Sequence, residues 1–219
     1  LSNVKTRGIL GEIQLGAILQ ELLTPDQYAE NIATRPGSTQ RVEFALKLPG
    51  DGEQPVWMPI DAKYPADAYE ALLDAYDTAD PAQVDAAVKE LDRRVRSFAK
   101  DIHDKYIEPP ATTDFGVMFL PVEGLYAEVV RRGTAQRIQQ DYKVVVAGPT
   151  TMSALLNSLQ MGFRTLAIQK RSGEVWGVLG RVRTEFDTFA KALSQTQNRL
   201  NQASNELENL VGVRTRQIQ

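Results

Sequence analysis

A segment of alternating side chains, followed by a turn and a second strand-like segment, constrains the fold of this chain more than any other feature. Residues 41–48 (RVEFALKL) alternate apolar and polar positions, which predicts a β-strand with one apolar face. Proline and glycine at residues 49–52 predict a turn, and residues 56–63 (VWMPIDAK) then form the returning strand of a hairpin. Because proline cannot donate a ladder hydrogen bond, Pro59 predicts that this strand begins at a sheet edge or at a bulge.

Helical and strand-like segments alternate through the rest of the chain. Apolar residues at helical spacing predict helices at about residues 5–23, 66–106 (broken near Asp80-Pro81), 124–140 and 150–170, the last opened by a threonine cap. Continuous apolar runs at residues 115–122 and 144–149 predict buried strands. The order helix, hairpin, helices, strand, helix, strand, helix predicts an α/β domain with a mixed sheet.

The last segment has a different periodicity. From Val182 to Leu210, apolar or small residues recur at alternating spacings of four and three residues. This spacing predicts a long coiled-coil-like C-terminal helix, which either pairs with another chain in a homo-oligomer or folds back as an arm. The sequence therefore divides into a globular domain at residues 1–180 and a helical arm at residues 181–219.

The amino-acid composition excludes several kinds of active site. The 219 residues include no cysteine and a single histidine, His103, so thiolate metal sites and cysteine nucleophiles are excluded. A histidine-dependent triad or zinc site would have to use His103. The remaining acid–base chemistry falls to carboxylates, lysines and tyrosines. The formal net charge is −3, so contact with DNA requires a local basic patch or a metal bridge rather than a basic surface throughout.

The hairpin carries three side chains suited to metal chemistry. Asp61 and Lys63 share one face because strand side chains alternate with period two, and a hairpin can bring Glu43 onto that face. Two carboxylates suit a hard cation such as Mg²⁺, which lowers the pKa of bound water and neutralises charge on a phosphate. A neighbouring lysine can orient or deprotonate the water, or stabilise the anion. The alternative is an ordinary solvated strand face.

The hairpin pattern of an acid followed by Asp-x-Lys resembles the PD-(D/E)xK nuclease superfamily, and longer blocks resemble the RmuC family. These blocks cover about residues 6–180 and read RGILGE, VEFALKLPG, PIDAKYP, SFAKDIHDKYI, DFGVMFLPVEGLYAEV and VVVAGPTTMSALLNSLQMGFRTLAIQKRSGEVW. The Asp-Ala-Lys triplet alone is a weak signal, whereas the whole series of blocks is specific. The resemblance implies a restriction-endonuclease-like fold, in which helices flank a mixed central sheet.

The resemblance also implies roles for four residues. Glu43 and Asp61 match the two hairpin acids, Lys63 matches the catalytic lysine, and Glu12 matches the superfamily's helical acid. An aspartate is more usual where Glu43 stands, and the longer side chain changes the ligand geometry. The implied function is a DNA nuclease that uses Mg²⁺ or Mn²⁺, bound by Glu12, Glu43 and Asp61. The implied process is DNA recombination, with rearrangements limited at inverted repeats.

Two other classes of function stay open. One is a non-catalytic DNA-binding or oligomeric assembly module that keeps the nuclease fold, and the other is a structural coiled-coil partner. Arg96 and Lys100 share a helix face, which is either a phosphate-contacting edge or a solvated face paired with acids. Arg131-Arg132 is a weaker candidate of the same kind.

The location expected from the sequence is cytoplasmic. No apolar run is long enough to span a membrane, so this fragment is expected to make no membrane contact. The resemblance implies that many family members carry an N-terminal membrane anchor and a longer coil, which would lie outside this fragment.

Overall fold

Helices and strands alternate along the described part of the chain. The computed structural model describes residues 2–49, 54–78 and 80–162, together with residues 184, 185, 188, 191 and 195. Its elements are α1 (Ser2–Leu22), β1 (Tyr28–Ile32), β2 (Val42–Leu48), β3 (Val56–Ala62), α2 (Ala66–Thr78), α3 (Pro81–Tyr106), β4 (Gly116–Phe119), α4 (Glu123–Arg131), α5 (Thr134–Tyr142) and β5 (Val144–Ala147). Residues 149–162 form a further helix, α6.

The strands form one mixed sheet in the order β1-β2-β3-β4-β5. β1, β2 and β3 pair antiparallel, whereas β3, β4 and β5 pair parallel. The predicted hairpin is β2 with β3, in a register that sets Phe44 opposite Ile60. Helices connect the parallel strands, because two parallel neighbours cannot be joined by a tight turn. The predicted α/β class with a mixed sheet is therefore confirmed.

Two features of the sheet differ from the sequence pattern. β1 (YAENI) has no alternating apolar run, and it forms by adding its backbone to the free edge of β2. β3 as a whole is not an edge strand, because it lies between β2 and β4. Pro59 instead follows an isolated bridge between Trp57 and Thr112, and the ladder to β4 begins only at Ile60. The missing N–H of Pro59 therefore falls at a break in the pairing.

Helices cover both faces of the sheet. α1 and α6 pack against the face that carries Phe44, Ile60 and Phe119. α2, α3, α4 and α5 pack against the face that carries Met118 and Val146. Each large apolar side chain buried in these two layers contributes roughly 1.5–3 kcal/mol. Since neighbouring strand residues point to opposite faces, the acids beside Phe44 and Ile60 belong to the second face.

Local caps decide where the helices on that second face begin and end. The predicted break near residue 80 is confirmed: Asp80 is the N-cap of α3, its carboxylate accepts the N–H of Ala82 at 2.9 Å, and Pro81 follows as the first helical residue. The single helix predicted over residues 124–140 is wrong. Gly133 has a φ of 71°, a left-handed conformation that glycine adopts readily, and it separates α4 from α5.

The predicted C-terminal arm falls mostly outside the described residues. The chain divides into two compact units, Leu1–Phe163 and Arg164–Gln219. Within residues 181–219, the five described positions are helical and exposed. The coiled-coil arm, its pairing with a second copy and a boundary near residue 180 stay predictions.

Candidate functional site

The β2–β3 hairpin sets Glu43 and Asp61 beside each other. Glu43 precedes Phe44, whose partner is Ile60, so the next pair along the hairpin is Glu43 with Asp61. The Oε2 atom of Glu43 accepts the backbone N–H of Ala62 at 2.8 Å, which ties the carboxylate to the end of β3. Both acids lie on the sheet face that α3 covers, because Phe44 and Ile60 point to the other face.

Lys63 completes this cluster. Its backbone N–H donates to the carbonyl of Phe119 at 2.9 Å, which extends the parallel pairing past the end of β3. Its Nζ lies 2.5 Å from Oδ2 of Asp61 and 3.8 Å from Oε1 of Glu43. The same Nζ lies 3.3 Å from the carbonyl oxygen of Ala62. The structure thus brings Glu43, Asp61 and Lys63 together.

Burial governs the electrostatics of the two acids. Burial raises the pKa of Asp61, which is 2% exposed, while the charge of Lys63 opposes that rise. Burial also raises the pKa of Glu43 to about 7, and the negative charge of Asp61 adds to the effect. Lys63 and the N–H of Ala62 oppose it by favouring the ionised form. Glu43 therefore exchanges its proton near neutral pH.

One oxygen of this cluster is left without an aligned hydrogen bond. Oδ2 of Asp61 is buried and accepts no hydrogen bond of acceptable geometry from the described residues. The nearby ammonium of Lys63 contributes charge at 2.5 Å but not good alignment. A buried carboxylate is costly unless a cation lies close to it, and the ammonium of Lys63 takes that place here.

Glu12 does not join the cluster in the same way. It lies on α1, which packs against the opposite sheet face, and its side chain is exposed. It is the preceding residue, Gly11, that lies against the end of β3: a Cβ built on Gly11 would lie 3.7 Å from Cβ of Ala62. The charge of Glu12 is the weakest of the influences that raise the pKa of Glu43 and Asp61. Among the described residues, no group of three or more His, Cys, Asp or Glu side chains has the geometry to hold a metal ion.

The donor set still suits a hard cation. Glu43 and Asp61 supply carboxylate oxygens, and the carbonyl of Ala62 faces the same ammonium. Mg²⁺ commonly takes one or two protein carboxylates and keeps water in its other positions. A cation between two acids of raised pKa would also hold them ionised.

The C-terminal end of α3 contributes two residues that the hairpin pattern misses. Lys105 lowers the pKa of Asp61 through its positive charge. Burial raises the pKa of Tyr106 to about 12, and the negative charges of Asp61 and Glu43 add to that rise. Thr34 donates its hydroxyl to the carbonyl of Tyr106 at 2.8 Å, which fixes the end of the helix. The block SFAKDIHDKYI is the sequence signal that contains both residues.

The two basic residues predicted to contact DNA lie elsewhere on α3. Arg96 pairs with Asp141 at 2.9 Å and stacks over the ring of Tyr142, with its guanidinium 5.9 Å from the ring centre. Lys100 pairs with Asp104 one turn further along α3. Both are thus compensated by acids, the arrangement expected of a solvated face.

Comparisons with known proteins agree on one family. The whole chain, residues 1–219, matches the model of the RmuC family. Two curated proteins called DNA recombination protein RmuC homolog, from two strains of Xylella fastidiosa, are each 52% identical over 222 residues. The match covers 100% of this chain and 48% of each relative, so the chain spans about half the length of the curated relatives it matches. No solved structure matches this chain. No described helix is both long enough and apolar enough to cross a membrane.

Proposed function

The chain belongs to the RmuC family, and from that premise we propose that its Glu43, Asp61 and Lys63 cluster hydrolyses phosphodiester bonds of DNA with Mg²⁺ or Mn²⁺. One observation carries the proposal: Asp61 is buried with an ammonium at 2.5 Å and, one strand away, a second acid whose pKa is about 7. Titratable groups perturbed by burial and by each other mark functional sites more often than ordinary surfaces.

The fold supports the same proposal at a coarser level. A PD-(D/E)xK nuclease core has a mixed sheet with a central hairpin, in which one strand carries an acid and the next ends in Asp-x-Lys. The β2–β3 hairpin of this sheet fits that description. We propose that fold for this chain. Because unrelated functions share folds, the argument for hydrolysis comes from the cluster rather than from the sheet.

Each residue of the cluster has a distinct task in this proposal. Glu43 and Asp61 would hold the metal through their carboxylates, and the carbonyl of Ala62 offers a further oxygen. The bound metal supplies an acidic water and neutralises charge on the phosphate. Lys63 carries three N–H donors, and one directed at the attacking water or at a phosphate oxygen orients the reactants and stabilises the developing charge.

DNA recombination is the process we propose for this activity. The two relatives carry that process in their names, and limiting rearrangements at inverted repeats is the role that we propose. A nuclease acting there would cut the hairpin or cruciform structures that inverted repeats form.

Cleavage assays with a matched lysine control test the proposal. The 219-residue chain, Lys63→Ala and Lys47→Ala are incubated with linear, single-stranded and hairpin DNA in Mg²⁺ or Mn²⁺. Lys47 is exposed on the neighbouring strand, so its removal deletes the same charge outside the cluster. We expect Lys63→Ala to lower the cleavage rate at least about 100-fold, and Lys47→Ala to change it less than about 3-fold. No cleavage of any DNA form by the unaltered chain would refute the proposal.

A second function is a DNA-binding or assembly module without catalysis. A glutamate rather than the usual aspartate at position 43 and the formal net charge of −3 favour it. This function predicts that Asp61→Ala leaves DNA affinity unchanged and that calorimetry detects no binding of Mn²⁺. It also predicts self-association through residues 181–219. Sedimentation would then show that a chain ending at residue 180 no longer self-associates.

A further inference from the structure

A second charged site lies between α3 and the junction of α4 with α5. It is a cavity of about 620 Å³. Its polar lining consists of Lys89, Asp92, Arg131, Arg132, Thr134 and Arg137. None of these residues belongs to the cluster around Asp61. The cavity therefore requires its own explanation.

Two neighbouring arginines are held side by side at one wall. Glu128 accepts from Nη2 of Arg131 at 2.7 Å and from Nε of Arg132 at 3.1 Å. The hydroxyl of Tyr76 accepts from the same two guanidinium groups, at 2.8 and 2.6 Å. One carboxylate and one phenol thus fix two like charges that would otherwise repel each other.

A third arginine comes from α5. Nη2 of Arg137 donates to Oδ1 of Asp92 at 2.8 Å and to the hydroxyl of Thr134 at 3.0 Å. Thr134 donates its hydroxyl to the same oxygen of Asp92 at 2.5 Å. Nη1 of Arg137 donates to the carbonyl oxygen of Arg132 at 3.5 Å, and the side chain is 48% exposed.

The basic side chains that line the cavity outnumber the acids that pair with them. Lys89 is matched by Asp85 at 2.7 Å. The three arginines are matched by two acids, Glu128 and Asp92, which leaves one positive charge. Every hydrogen bond that Arg131 makes with described residues leaves from Nη2, so its Nε and Nη1 donors have capacity for another acceptor.

We infer that this cavity binds a phosphodiester of the DNA backbone. A phosphodiester carries one negative charge and several oxygen acceptors, which match the excess charge and the planar donors of arginine. The inference rests on the proposed function in taking DNA as the ligand. Lys89 and Lys105 are 16 residues apart on α3, so at 1.5 Å per residue the cavity lies about 24 Å along the helix from the cluster. Roughly seven base pairs of duplex cover that distance.

DNA binding in the absence of divalent metal tests the inference separately from cleavage. Fluorescence anisotropy of a labelled duplex of about 20 base pairs is measured in EDTA, from about 50 to 200 mM salt. The variants are Arg131→Gln on α4 and Arg137→Gln on α5, so a folding defect in one leaves the other informative. Arg93→Gln is the control, because Arg93 is 64% exposed against 63% for Arg131 and does not line the cavity.

We expect each cavity variant to weaken binding about 3- to 10-fold at low salt and to reduce the salt slope by about one, with less than a 2-fold change for Arg93→Gln. Equal weakening by Arg93→Gln, or unchanged affinity in both cavity variants, would overturn the inference. Calorimetry with inorganic pyrophosphate distinguishes a free phosphate ligand. Pyrophosphate binding that both variants abolish, with DNA affinity intact, would assign the cavity to small phosphates instead. Absence of cleavage alone would refute only the proposed function.

Discussion

The ammonium of Lys63 lies 2.5 Å from a carboxylate oxygen of Asp61 that the fold buries almost completely. Removing one partner of such a pair leaves a buried charge uncompensated. We expect Lys63→Met to lower the free energy of unfolding by about 3 kcal/mol at pH 8. The loss should shrink toward pH 4, since protonation removes the charge of Asp61. Urea denaturation measures it, and a double variant with Asp61→Asn should recover part of it. A loss that does not vary with pH would contradict the pairing.

The raised pKa of Glu43 predicts that a variant at this position gains stability at high pH, whereas Lys63→Met loses it. The pKa of Glu43 rises from 4.5 to about 7 on folding, so the folded state binds the proton more tightly. The resulting stabilisation is complete below pH 4.5 and is lost as pH rises through about 7. We expect Glu43→Gln to be more stable than the unaltered chain at pH 8, by up to about 3 kcal/mol, and no more stable at pH 4. Glu30→Gln on the exposed edge strand is the control. A pH-independent difference would show that Glu43 ionises freely.

Metal binding should follow the same protonation. A cation competes with the proton for Glu43 and Asp61, so affinity for Mn²⁺ should increase as pH rises through about 7. Calorimetry at pH 6 and pH 8 measures this change. We expect Asp61→Asn to lower the affinity at least about 10-fold, and saturating Mn²⁺ to raise the melting temperature of the unaltered chain only. Equal stabilisation of both proteins would place the metal elsewhere.

Glu12 should matter less than its match to the superfamily implies. It acts on Glu43 and Asp61 only through a weak charge effect, from a helix on the opposite sheet face. We expect Glu12→Gln to slow DNA cleavage less than about 10-fold, whereas Asp61→Asn slows it at least about 100-fold. Cleavage rates at saturating Mg²⁺ compare the two. An equal loss in both variants would make Glu12 a direct ligand in the active state.

Gly148 is a position where the fold leaves no room for a side chain. A Cβ there would lie 2.8 Å from Oε2 of Glu123 and 2.9 Å from Cγ of Tyr126. The other oxygen of Glu123 accepts the N–H of Thr150 at 2.6 Å, so a carboxylate caps α6 where a threonine cap is the sequence prediction. We expect Gly148→Ala to cost about 1–3 kcal/mol. Gly8→Ala, in open space on α1, should be neutral or stabilising by up to about 1 kcal/mol, measured by thermal denaturation. Equal effects would show that the contact relaxes freely.

Some of this protein follows from the sequence alone, because strand alternation and hairpin pairing are local. Seven residues of alternating side chains fix which face Glu43 takes, and the period of two fixes Asp61 and Lys63 relative to each other. Prolines and caps are equally local, so the break before α3 is also readable.

Other features depend on packing between distant segments. Nothing local to Glu12 states which sheet face α1 covers, and nothing local to Tyr106 brings the end of α3 toward Asp61. β1 exists because the edge of β2 offers backbone partners, not because its own side chains demand a strand. The arginine cavity needs α3, α4 and α5 at once. Sequence thus determined the hairpin and the charged side chains that it carries, whereas tertiary packing decided their surroundings, because burial and charge proximity arise only when separate elements meet.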